Sequence, residues 1–88
     1  MKQFTKTFSN GATLRVSLLF GINQSLDVWF DGTLTSGKQL PQVRGSVSHW
    51  EGNFSKAKDA LLEAQDHLNA DMAEVISTLE AEGFNPVE

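Results

Sequence analysis

Cysteine is absent from the 88 residues, and so is tyrosine. Without thiols the chain can form no disulfide, no thiolate zinc site and no cysteine nucleophile. Small secreted domains usually depend on disulfides, so this composition points to a reducing cytoplasm. Long apolar runs are missing too. The longest, such as Leu18-Leu19-Phe20, fall far below the roughly 18 residues that cross a bilayer. Nor does a stretch of about 7–15 apolar residues follow Met1-Lys2-Gln3-Phe4-Thr5-Lys6, so neither secretion by that route nor a membrane is expected. The glycines, at 11, 21, 32, 37, 45, 52 and 83, are too dispersed for a phosphate-cradling loop. Basic charge is scarce in one half only. Residues 1–50 hold five bases against two acids, net +3, whereas residues 51–88 hold two bases against nine acids, net −7.

What is present reads as one folded domain over 1–88. Apolar residues make up 40% and charged residues 20%, which sets the chain apart from disordered sequences. The sheet is expected over about 2–49 and the helix over about 54–82. Between Thr13 and Phe20, Leu14, Val16, Leu18 and Phe20 alternate with Arg15, Ser17 and Leu19, the period of a half-buried strand. Phe4 and Phe8 precede Asn10-Gly11, a turn signal. A two-residue loop would strand both phenylalanines on the polar face. A three-residue loop, Ser9-Asn10-Gly11, pairs Phe4 with Val16 and unites the large apolar groups, so it is the expected register, with Gly11 left-handed. A third strand is expected over Ser25–Thr35, with Leu26, Val28, Phe30 and Leu34 inward. After the turn at Ser36-Gly37-Lys38, Pro41 delays a weaker fourth strand to about Gln42–His49, with Gly45 a bulge or kink.

From Phe54 the period becomes helical: Ala57, Leu61, Ala64, Leu68, Met72, Val75 and Leu79 recur every three or four residues. Gly83 sits where a C-terminal glycine belongs, Phe84 can fold back on Leu79, and Pro86 stops the helix. Asp71 and Glu74 have N-cap spacing and could divide the segment. The expected fold is therefore α+β: an antiparallel three- to four-stranded meander followed by a long C-terminal helix packed on one face, in the order β-β-β-β-α, with one helix favoured and a kink or break near Asn69-Asp71 left open.

Catalytic groupings do not assemble. Asp27 and Asp31 share a strand face but stand roughly 13 Å apart, too far for a carboxylate dyad. Glu63, His67 and Asp71 follow an i, i+4, i+8 stripe. Its ends lie about 12 Å apart along a helix axis, so the three do not converge on one metal. No catalytic residue, metal ligand or cofactor is assigned. Three surfaces remain for binding. The sheet face opposite the core carries Arg15, Leu19, Asp27, Trp29 and Thr33, with Arg44 and Trp50; tryptophan and arginine are common anchors for protein partners and also suit single-stranded nucleic acid. The acidic helix presents Asp59, Glu63, Asp66, Glu74, Glu80 and Glu82, a solvated face or a dock for a basic surface. Leu62 and Ile76 mark a dimer seam or the edge of the core.

Three loose resemblances accompany this reading. A sheet followed by Phe54-Ser55-Lys56 opening a helix is similar to the small arm-binding domains of integrases. Glu82-Gly83-Phe84-Asn85-Pro86 at a helix end is similar to antitoxins of the HicB type. In size, acidity and lack of a catalytic set the chain looks like phage-encoded inhibitors of bacterial defence systems. None of them names a family. The expectation is a cytoplasmic, non-enzymatic protein-binding module, an inhibitor or adaptor, using Arg15, Trp29, Arg44 and Trp50 or the helix acids Asp59, Glu63 and Asp66. Its partner is another protein, or a second copy in a homodimer. The alternative is a nucleic-acid-binding domain acting through the same sheet face.

Overall fold

A computed structural model describes residues 2–20, 25–45, 55–65, 67 and 71–87. Alternation builds four strands: β1 (Lys2–Thr7), β2 (Thr13–Phe20), β3 (Leu26–Thr33) and β4 (Gln39–Arg44). Successive strand residues point to opposite faces. Phe4, Leu14, Val16, Leu18, Leu26, Val28 and Phe30 accordingly turn one way and are buried. Two helices follow, α1 (Ser55–Ala64) and α2 (Met72–Ala81), and then a short strand, β5 (Asn85–Pro86). The class is α+β. Among the described residues the sheet has five strands, all pairs antiparallel, in the order β4-β3-β2-β1-β5.

The first hairpin adopts the register that burial demands. Phe4 pairs with Val16, Thr5 with Arg15 and Thr7 with Thr13. The loop is Ser9-Asn10-Gly11, closed by Phe8 N–H donating to Ala12 O at 2.8 Å and Gly11 N–H to Phe8 O at 2.9 Å. Gly11 has φ +92, a conformation an L side chain resists. The third hairpin repeats the device. Leu34 N–H donates to Lys38 O and Gly37 N–H to Leu34 O, both at 2.9 Å.

Two strand expectations need correction. β4 begins at Gln39, not Gln42, and carries Pro41 within it. An edge strand tolerates a proline because one side of its backbone has no ladder partner, and the register against β3 shifts between Phe30 and Gly32. The part of the expected strand beyond Gly45 lies outside the described residues. Phe20 sits on the core face opposite Leu26 yet stays 44% exposed. The β1 pairing reaches no further along β2 than Leu18, leaving Phe20 flanked on one side only.

The single long helix is also corrected, to two helices of 10 residues each. A continuous helix over 54–82 would run about 40 Å. Instead α1 stops at Ala64, and Gln65 bridges in parallel to Leu26. Asp71 then caps α2, its carboxylate accepting the Glu74 N–H at 3.2 Å. The end of α2 follows the sequence reading closely. Phe84 N–H donates to Leu79 O and Gly83 N–H to Glu80 O, both at 3.0 Å, the paired bonds of a Schellman motif. Phe84 then enters the core beside Leu79.

That turn delivers a strand the sequence reading omits. Asn85 pairs with Thr5 and Pro86 with Phe4, and Val87 N–H donates to Gln3 O at 2.9 Å. The core is one cluster, joining the inward strand residues to Ala57 and Leu61 of α1, Val75 and Leu79 of α2, and Phe84. Leu62 and Ile76 pack partly buried against it, which places them at the edge of the core. Each fully buried leucine or phenylalanine contributes about 1.5–3 kcal/mol.

Candidate functional site

The sheet face opposite that cluster is read row by row from the pairing. One row runs Gln3, Ser17, Trp29, Arg44 across four strands, and a second runs Thr5, Arg15, Asp31. Ser17 is fully buried despite pointing away from the core. Gln3 Nε2 donates to its Oγ at 3.2 Å, and Trp29 pairs with it from the other side. A hydroxyl enclosed in this way keeps a partner, as buried polar groups require. Trp29 is half-buried at the middle of β3.

The charges on this face are arranged as two closed pairs. Arg15 lies directly opposite Asp31. Its Nε donates to Asp31 Oδ1 at 3.0 Å and its Nη2 to Oδ2 at 2.5 Å. This bidentate fork is the geometry that suits guanidinium to carboxylate. Arg44 lies opposite Trp29 and reaches one pair along β3 to Asp27 Oδ1, with Nε at 3.1 Å and Nη2 at 2.7 Å. The two aspartates that flank Trp29 along its own strand are thus each tied to an arginine from a neighbouring strand. The hydrogen bond to Asp31, and then that carboxylate's charge, push the Arg15 guanidinium further above its ordinary range. Because that folded value is raised, the stability it adds is fully present below the ordinary arginine range. It is lost only as pH climbs through the raised value, so it is constant across neutral pH. Both arginine side chains remain well exposed, at 47% and 39%.

The remaining predicted residues lie elsewhere. Asp59 and Glu63 are exposed on α1, whose Ala57 and Leu61 face the core, so they belong to the helix side and not to the Trp29 face. Trp50 and Asp66 fall outside the described residues. The acidic set also includes a structural member. Glu82 Oε1 accepts the Ala57 N–H at 3.2 Å, placing a carboxylate at the N-terminal turn of α1, where the helix dipole favours it. The Glu63, His67, Asp71 stripe does not form. Glu63 is on α1, His67 follows that helix, and Asp71 caps α2. Among the described residues no three His, Asp or Glu side chains gather as metal ligands, and no helix is long and apolar enough to cross a membrane.

Sequence reasoning placed Asp27, Asp31, Arg15 and Arg44 on one face but did not pair them. Pairing depends on the β2–β3 and β3–β4 registers, and the second of these contains a shift. Leu19 is exposed on this face one strand-pair from Trp29, and Val87 extends its apolar character at the β5 edge. No family model, no curated protein and no solved structure matches the chain.

Proposed function

We propose that this chain is a small, acidic, non-enzymatic protein-binding module of the cytoplasm, an inhibitor or adaptor in kind, and that it docks through the sheet face centred on Trp29. The observation that supports this reading is the charge balance around the tryptophan. Arg15 and Arg44 are held by Asp31 and Asp27, so the face carries an aromatic anchor and two oriented arginines without a net positive field. Nucleic acid draws most of its affinity from cations that neutralise phosphates. Arginines already closed on carboxylates have little to offer it, and the chain as a whole is at −4. A protein partner is different, because tryptophan and arginine in a half-desolvated patch are what such interfaces concentrate.

Capture on the immobilised chain after nuclease treatment is the test, run with two variants. A protein partner retained in stoichiometric amount is expected. Its retention should drop at least tenfold with Trp29→Ala, a loss within the ordinary range for a central anchor. It should change little when Asp59 and Glu63 are both replaced by lysine. Loss on the helix charge reversal with Trp29→Ala unaffected would move the site to the acidic helix. Binding of a labelled single-stranded oligonucleotide at physiological salt, weakening steeply as salt rises, would replace the protein-binding reading with the nucleic-acid one.

A further inference from the structure

Toward the Thr13 end of the same face, a half-open depression of about 300 Å³ lies between two cross-strand rows. Arg15 and Asp31 form one wall; Thr13, Thr33 and Gln39 form the other, and Thr5 closes the β1 side. Leu14, Gly32 and Leu40 complete the floor. The Leu14 side chain is in the core, so what it turns to the depression is backbone. The volume sits at the lower end of the range for small-molecule sites, roughly 300–1,000 Å³, and suits one ring and not a chain of them.

The chemistry of the walls narrows the ligand. Arg15 and Asp31 cancel, so the depression favours neither an anion nor a cation. Yet both keep hydrogen-bonding capacity. The Arg15 guanidinium has five N–H donors and spends two on Asp31, while each carboxylate oxygen accepts once from Arg15 and has a second lone pair. Threonine hydroxyls and the Gln39 amide both donate and accept. An apolar ligand would leave these groups desolvated and unpaired, which is costly. A ligand whose own groups donate and accept at neighbouring positions satisfies them all. Vicinal hydroxyls do this, since one hydroxyl can donate to Asp31 while accepting from Arg15. Trp29 belongs to the next row of the same face, beyond the Arg15–Asp31 wall, so recognition rests on hydrogen bonds from the lining itself.

We infer that this depression is a binding site for a neutral polyhydroxylated ring, a single sugar unit, held by Arg15, Asp31, Thr13, Thr33 and Gln39. The inference stands on the depression alone and does not require a protein partner. A free sugar and a sugar carried on a larger molecule present the same hydroxyls and differ at the anomeric position.

The test is an amide NMR titration of the full chain with glucose, galactose and mannose, with their methyl glycosides, and with inorganic phosphate. Saturable shifts centred on Thr13, Arg15, Asp31, Thr33 and Gln39 are expected with at least one sugar, at a Kd on the order of 1–10 mM, ordinary for roughly a dozen heavy atoms. Thr13→Val and Thr33→Val, which keep side-chain shape, should each weaken that binding about 3–10-fold while the rest of the spectrum holds. A methyl glycoside that binds as well as its parent assigns the site to carried sugars; one that fails assigns it to free sugars. No saturable shift with any sugar up to roughly 100 mM would overturn the inference. So would saturation by phosphate alone, or sugar shifts that neither valine variant moves.

Discussion

Gly45 follows β4 with a left-handed backbone, φ +65, and the space a side chain would need there is taken by the Gln65 side-chain amide. A Cβ at this position would fall against that amide closer than van der Waals contact allows, on a backbone that L residues adopt at a cost. Gly45 N–H also donates to Val28 O at 2.9 Å, so the residue cannot swing away without losing a sheet bond. Gly45→Ala should therefore lower stability by about 1–3 kcal/mol in urea unfolding. Adding Gln65→Ala should recover only the part due to overlap. A Gly45→Ala variant as stable as the parent would show that the two residues do not approach in this way. The surface pairs contrast with this site. Exposed arginine–aspartate contacts typically add 0.2–1 kcal/mol, so Arg15–Asp31 and Arg44–Asp27 matter more for the orientation of the face than for holding the fold.

At the scale of elements, the two helices are defined by their ends more than by their lengths. Isolated helices of this size are marginal in water, so caps and packing decide whether they form. Asp71 caps α2, and Glu82 reaches the start of α1. Lys6 Nζ, arriving from β1, donates to Glu82 O at 2.5 Å and lies over the Phe8 and Phe84 rings at 5.1 and 5.8 Å. A cation there complements the C-terminal end of the α2 dipole, and α2 carries no base of its own in its last turn. Asp71→Ala should cost about 1 kcal/mol, with the loss of amide protection concentrated in the first turn of α2, while Asp71→Asn should retain most of the cap. Uniform loss across α1 and α2 would mean that the pair unfolds as one unit and that the cap does not act locally on the first turn of α2.

Across the whole molecule, the C-terminal segment closes the structure. Phe84 belongs to the core cluster, follows the Glu82-Gly83 turn that ends α2, and leads into the residues that pair with β1. Removing its ring leaves a cavity where α2, β1 and β5 converge. Truncating a buried phenylalanine to alanine costs about 3–5 kcal/mol, a large share of the 5–15 kcal/mol that holds an ordinary domain together. Phe84→Ala should therefore lower the urea midpoint by a large fraction of its parental value. Phe84→Leu should be intermediate, and near-parental stability in the alanine variant would show that β5 is an ornament on an independently stable core. The charge asymmetry acts on the same scale. The exposed acids Asp59 and Glu63 of α1 lie on the helix side and the charges of the sheet face close on each other, so the molecule presents two surfaces of different electrostatic character.

Much of this architecture was legible in the sequence because local rules and burial agreed. The Phe4–Val16 register, the three-residue loop at Gly11 and the Gly83–Phe84 helix end follow from period, turn chemistry and the need to bury phenylalanine, all of which act within a few residues. The break between α1 and α2 was only half legible. Apolar periodicity runs through it, and the Asp71 cap competes with helix continuation on nearly equal terms until packing onto a short sheet decides. β5 was not legible at all: two residues, one of them proline, form a strand only because Phe84 anchors them beside β1. The same holds for the candidate site. Which residues face away from the core is set by alternation, a property of one strand that can be read from its residues. That Arg15 meets Asp31 and Arg44 meets Asp27, and that threonines from three strands ring one depression, depends on the register between strands, which is fixed by the whole core and not by any strand alone.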